Sequence, residues 1–141
     1  MSILDRYQAY AAAFEESFED DDWSRIEAYF TEDAVYEGDP EDAQGREAVL
    51  AKLKNGLDTF DRNMDSRTPD FSTPTVDGDT IRMEWSVTYT KAGAPDLVIS
   101  GVEFATFDGD RISRLRDDFD PEAQKRMGEW MAAHGSLLRG E

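Results

Sequence analysis

RISRLRDDFD, residues Arg111–Asp120, decides how this chain is read. It alternates like a strand and then stops at Asp120-Pro121-Glu122, a strong helix start: Asp120 suits the N-cap, Pro121 the first helical position, and Glu122 the positive end of the helix dipole. In a strand ending there, Leu115 and Asp117 share one face, while Arg114, Arg116 and Asp118 share the other. An acid at the end of a half-apolar strand, beside a helix able to roof it, is placed for chemistry. The remaining segments are read as the cup around Asp117.

Working back from this stretch, the chain offers long alternating segments at Thr80 to Thr90 and Leu97 to Phe107, joined by Gly- and Asp-containing turns. The second runs through Asp108-Gly109-Asp110 into Arg111. Asn63 to Pro74 is irregular, with an edge strand as one reading, and Thr75 to Asp77 forms a hairpin arm. Before these lie helices. Ile3, Leu4, Tyr7, Ala11, Phe14 and Phe18 recur at three- and four-residue steps. A short helix is expected over Trp23 to Phe30, capped by an Asp of the acidic break at residues 19–22. A short strand follows at Ala34 to Glu37, then a turn through Gly38-Asp39-Pro40-Glu41-Asp42. Another helix, after Gly45, carries Val49, Leu50, Leu53, Leu57 and Phe60 on one side. Pro121 to about Leu138 closes the chain as a helix. Helices first and long consecutive antiparallel strands later is an α+β order. A curved sheet with helices across its concave face encloses a mostly apolar pocket. With no repeats or linkers, residues 1–141 read as one domain.

Composition narrows the function. The 141 residues carry 32 acids against 15 bases, a formal charge of −17, which opposes nucleic acid and anionic membranes as partners. The hydrophobic fraction of 39% supports a folded core. No window suits a membrane span and the N-terminus has no secretory pattern, so a cytoplasmic location is expected. The absence of cysteine excludes disulfides and thiol chemistry, and a single histidine excludes a multi-histidine metal site.

Thr80 to Thr90 presents Ile81, Met83, Trp85, Val87 and Tyr89 on one face and Arg82, Glu84, Ser86 and Thr88 on the other. If the apolar face is core, Arg82 and Glu84 are a surface pair. If the apolar face meets a second subunit, the polar face lines the pocket. Periodicity allows both. Glu103 shares a face with Leu97, Ile99 and Gly101, and a lone acid among apolar neighbours belongs either to the site or to the cup's rim.

Ile26 to Glu37, IEAYFTEDAVYE, followed by Gly45-Arg46 opening a helix, resembles the nuclear transport factor 2-like superfamily. That superfamily includes SnoaL-like polyketide cyclases, ketosteroid isomerase and limonene-epoxide hydrolases. LRDDFD at Leu115 to Asp120 is similar to the strand end of the epoxide hydrolases, where the first Asp is the water-activating base. Arg82-Met83-Glu84 falls where those enzymes carry Arg-x-Asp, Gly101-Val102 matches a downstream Gly-Val pair, and Tyr36 matches the water-positioning Tyr. Their water-holding Asn falls on Gly38.

The resemblance implies a cone-shaped sheet, a homodimer and a cofactor-free enzyme acting on a hydrophobic small molecule. Asp117 would be base, Glu84 acid, Arg82 bridge, and Tyr36 would position water. Glu103, Leu97, Ile99, Leu115, Ser86, Phe18 and Phe60 would form the substrate wall, with no metal. The alternatives are a SnoaL-like cyclase or isomerase using Asp117 as acid/base, and a non-catalytic hydrophobic-ligand-binding module.

Overall fold

The computed structural model describes residues 2–38 and 41–138. Asp39 and Pro40, in the turn expected after Gly38, lie outside the described residues, as do both chain ends. The elements are α1 (Ile3–Asp20), α2 (Ser24–Glu27), β1 (Phe30–Glu37), β2 (Ala43–Gln44), α3 (Arg46–Thr59), β3 (Ser66–Phe71), β4 (Thr75–Asp77), β5 (Thr80–Thr90), β6 (Leu97–Asp108), β7 (Arg111–Phe119) and α4 (Pro121–His134). The α+β order read from sequence holds.

The strands form one sheet in the order β2-β1-β7-β6-β5-β3, with β4 also on β5. All pairings are antiparallel except β1 with β7. The sheet is therefore mixed, a correction to the antiparallel expectation. Strands β1 and β7 are far apart in sequence, so no hairpin constrains their relative direction. The segment around Pro69 forms a full six-residue edge strand, β3, whose Pro69 sits opposite Val87. An edge position tolerates the missing N–H.

Helix α2 is shorter than expected because Phe30 starts β1, where its side chain is fully buried. Asp22 still serves the start of α2, with its Oδ1 accepting from Ser24 N at 3.2 Å and Ser24 Oγ at 2.6 Å. Asp120 takes the N-cap position of α4 with Pro121 behind it. Its carboxylate gives no cap and accepts instead from Ser100 Oγ at 2.6 Å, tying the start of α4 to β6.

Helices α1–α3 pack on the sheet around Tyr7, Tyr10, Ile26, Phe30, Val49, Ile81, Ile112 and Leu115. Burial of each large apolar side chain contributes about 1.5–3 kcal/mol. A second cluster, Met64, Val87, Tyr89, Leu97, Ile99 and Trp130, sits beneath α4. The inward face of β5 is its apolar one: Ile81, Met83, Val87 and Tyr89 are all buried. That face is filled from within the chain, so it is not a subunit interface.

Strand β7 carries the detail that aims the site. Phe107 pairs with Ile112 and Thr106 with Arg114, which leaves Ser113 as the extra residue of a β-bulge. The bulge lets Ile112 and Leu115 both point inward despite their three-residue spacing. Regular alternation from Leu115 then brings Asp117 inward too.

Gly101 shows what the neighbouring strand must omit. It lies between Trp85 and Phe119 in the ladder, and their rings meet edge to face at 5.5 Å. A Cβ on Gly101 would lie 2.5 Å from the Asp118 carbonyl oxygen and 3.1 Å from Trp85 Cζ2. Backbone cannot yield as a flexible side chain can. Gly101→Ala is therefore expected to destabilise the fold by about 1–3 kcal/mol, read as a lower urea midpoint at unchanged m-value.

Candidate functional site

Between α1, α3 and the inner face of the sheet lies a cavity of about 490 Å³, large enough for a compact organic molecule. Apolar walls come from Phe14, Leu53, Phe60, Met83, Val87 and Ile99. Phe71 and Phe119 also line it while remaining 44% and 43% exposed, which places the mouth beside them.

At one end sit Glu103 and Asp117, opposite each other on β6 and β7 and hydrogen-bonded together. Each is held by a tyrosine from a different element. Tyr36 of β1 donates to Asp117 Oδ2 at 2.5 Å, and Tyr7 of α1 donates to Glu103 Oε1 at 2.7 Å. Burial drives Glu103 well above the usual carboxylate range, with the charge of Asp117 adding to the rise. Burial also raises Asp117, but hydrogen bonds from Tyr36, Glu103 and Trp85 oppose it by favouring the anion. Glu103 is thus the carboxyl pushed more strongly toward its neutral form, and the two cannot readily ionise together. Burial, then the adjacent carboxyl charge, raises Tyr7 and Tyr36, so both stay protonated as donors. This end of the cavity holds a base, an acid and two neutral O–H groups.

The other end carries a second polar group. Arg67 of β3 donates to Glu15 Oε1 at 2.6 Å and to Asp61 Oδ2 at 2.7 Å, and Tyr89 donates to the same Asp61 oxygen at 2.9 Å. The Arg67 side chain is 11% exposed. The Arg67–Glu15 and Tyr89–Asp61 contacts span 52 and 28 residues of chain, and nothing local in the sequence announces them. Tyr7 was equally hidden, since its helical spacing marks it only as core. Among the described residues, no three His, Asp or Glu side chains gather in a way that would hold a metal ion.

The structure brings together Asp117, Tyr36 and Glu103, and it lines the same cavity with Ile99 and Phe60. Other expected residues lie elsewhere. Arg82 and Glu84 pair with each other at 3.1 Å on the outward face of β5, with side chains 47% and 60% exposed. Burying four apolar neighbours inward forces this pair out, so neither the acid nor the bridge role fits its place. Ser86 points outward with them and borders a separate outer hollow beside Ser100 and Asp120. Leu97 is consumed by the cluster under α4, and Leu115 is fully buried in the main core. Phe18 is covered by Arg62 and Arg67, whose guanidinium carbons stand 4.7 and 4.9 Å from its ring centre. Arg82→Ala and Glu84→Ala are accordingly expected to cost under about 1 kcal/mol in stability and to leave turnover at the parent rate. Thermal melts and initial rates check both.

No helix of the described residues is long and apolar enough to cross a membrane. No curated protein sequence matches the chain. Solved structures with the same fold are numerous. An NTF2-like protein of unknown function from Exiguobacterium sp. 255-15 superposes with a TM-score of 0.65 at 17% identity, over 85% of this chain and 99% of its own. TerC co-crystallised with polyporic acid gives 0.65 at 15%, over 88% and 98%. A "putative polyketide cyclase" from Sinorhizobium meliloti gives 0.59 at 21%, over 78% and 94%. At these identities the likeness establishes the fold alone. A family model described as the SnoaL-like domain matches residues 8–115, most of the chain, and on that match the protein belongs to the SnoaL-like family.

Proposed function

We propose that this chain is a cofactor-free acid–base enzyme acting on an uncharged, largely apolar small molecule, with hydrolytic opening of an epoxide as its reaction. The observation that carries the reading is the hydrogen-bonded Glu103–Asp117 pair, buried at the end of an apolar cavity and unequally inclined to ionise. Four acids against two bases line the cavity, and Arg67 is already engaged by Glu15 and Asp61. Such walls disfavour carboxylate or phosphate substrates.

In this mechanism Asp117 takes a proton from water as the water oxygen forms a bond to an epoxide carbon. The carbon–oxygen bond breaks, and the departing oxygen takes the proton from Glu103. Tyr36 and Tyr7 keep the two carboxyls oriented. Asp117 then carries the proton that Glu103 has lost, and the direct hydrogen bond between them returns it. The product is a vicinal diol, and the atoms of one water are added in total. Glu103 thus replaces Glu84 in the acid role.

A second reading is an intramolecular carbon–carbon cyclisation with Asp117 as acid/base, favoured by the "putative polyketide cyclase" among the structural neighbours. Incubation with a panel of cyclic epoxides in H₂¹⁸O separates the two. The hydrolytic reading expects a diol carrying one ¹⁸O. Conversion with no solvent oxygen in the product, or no conversion across the panel, would sink it. The homodimer implied by the family resemblance would use the outward sheet face, because the inward one is filled. Sedimentation tests that.

A further inference from the structure

The polar group around Arg67 lies well away from Glu103 and Asp117. In the ladder Glu103 stands opposite Met83 and Arg67 opposite Tyr89, so the polar ends are set apart by the stretch of β5 from Met83 to Tyr89, roughly 20 Å of strand. The wall between them is apolar, with Phe14, Leu53, Val87 and Ile99. Glu15, Asp61, Arg67 and Tyr89 all line the cavity, although they come from α1, the turn after α3, β3 and β5. An enclosed guanidinium between two carboxylates adds little to stability, because the loss of water costs the ions about as much as their attraction returns. Stability therefore does not explain its place on the cavity wall.

The group is held in position and is not full. Phe18 backs the guanidinium, and Phe60 meets the Tyr89 ring edge to face at 5.1 Å. A guanidinium has five N–H groups. In Arg67, Nε serves Asp61 Oδ2, one N–H of Nη1 serves Glu15 Oε1, and one of Nη2 reaches Glu15 Oε2 at 3.4 Å. The remaining N–H groups have no partner among the described residues. Tyr89 and Arg67 both land on Asp61 Oδ2, so Asp61 Oδ1 takes neither bond. The Asp61 and Glu15 side chains keep 12% and 30% of their surface exposed, so the group is open to a ligand.

We infer that Arg67 and its two carboxylates form a second subsite, which binds a neutral hydroxyl at the end of an elongated substrate remote from the bond that reacts. The hydroxyl oxygen accepts from the guanidinium while its proton goes to a carboxylate. A carboxylate or phosphate in the same place would face Glu15 and Asp61, and an ammonium would face the guanidinium. A carbonyl can only accept. This rests on the reading of the cavity as the substrate's and deepens it: the apolar molecule carries a hydroxyl at one end and its reactive group at the other.

The test reads binding and not turnover, so it succeeds or fails independently of the reaction. At pH 7 the probes are 4-biphenylmethanol and 4-ethylbiphenyl, nearly equal in shape and different in the O–H. Titration calorimetry gives the ratio of the two affinities. Arg67→Met is expected to lower the affinity for the alcohol relative to the hydrocarbon by at least about tenfold, the loss of a hydrogen bond to a charged group. The hydrocarbon should bind within about threefold of its parent affinity, which shows that the cavity is intact. Asp117→Asn, at the other end, should leave the ratio within about threefold of the parent's. In the parent, ¹⁵N spectra of the arginine Nε groups should show Arg67 shifting with the alcohol and staying in place with the hydrocarbon, a result that does not depend on any variant folding. 4-Biphenylmethylammonium should bind more weakly than the alcohol. An unchanged ratio in Arg67→Met, a ratio that falls in Asp117→Asn instead, an unmoved Arg67 signal, or tighter binding of the ammonium overturns the inference. A hydroxyl effect located at Arg67 in a protein that converts no epoxide overturns the proposed reaction alone.

Discussion

Asp117→Asn is expected to lower turnover of any epoxide the parent accepts by about 10²–10⁴-fold, the usual contribution of a positioned general base. Asparagine keeps the size and can still accept from Tyr36 through its carbonyl. What it loses is the ability to take a proton. Affinity for an apolar probe should therefore stay close to the parent's, so the loss falls on kcat and not on binding. In the parent, activity should rise with pH as Asp117 ionises, at a pH above the ordinary aspartate range because burial raises it. It should fall again when Glu103 gives up the remaining proton. Initial rates across pH 4–10 check this shape. Parent-like turnover by a folded Asp117→Asn protein would remove Asp117 from the mechanism.

Glu103→Gln is expected to have an effect of similar size on turnover, about 10²–10⁴-fold, because glutamine cannot protonate a leaving oxygen. It also makes a prediction about stability whose sign is fixed. In the unfolded chain Glu103 ionises near its ordinary value of 4.5, whereas burial and the neighbouring Asp117 charge hold it protonated in the fold to much higher pH. Between those limits the folded state binds the extra proton. The contribution is present in full at low pH and is lost as pH rises toward the native value. Each unit of that window removes up to about 1.4 kcal/mol from the parent. Glutamine has nothing to titrate and can still accept from Tyr7, so the variant should gain on the parent steadily from pH 5 to 8 and match its pH dependence below 4. Urea unfolding of both proteins at several pH values measures the difference. A parent that gains relative to the variant as pH rises would mean that Glu103 is an ion in the fold.

Some of this was legible before any coordinates. Thr80–Thr90 was bounded to the residue, since eleven alternating positions between turn signals leave little freedom. Asp117 followed from parity with Leu115. A place for Tyr36 in the site, as the residue that positions water, was implied by resemblance; its hydrogen bond to Asp117 was not. Arg82 and Glu84 were the instructive error. Period two separates the faces of a strand without saying which is covered, and the Arg-x-acid resemblance favoured the wrong face for this chain. Burial of Ile81, Met83, Val87 and Tyr89 outweighs any preference to enclose an ion pair. Tyr7 and Arg67 were invisible for another reason. Glu103 lies 96 residues from Tyr7 and Glu15 lies 52 from Arg67, and a helical tyrosine or an edge-strand arginine looks the same with or without them.

By itself, the amino-acid order determined the sequence of helices and strands, the inward turn of Asp117, and a net charge of −17. These are properties of neighbours along the chain, set by side-chain alternation, turn residues and summed charge. Only the tertiary structure decided that Glu103, and not Glu84, stands beside Asp117 and that Tyr7 reaches across to it. Those outcomes depend on strand register, on one bulge at Ser113, and on which sheet face the helices cover. None of these is written in any local stretch, because each is settled by the burial of the whole core at once.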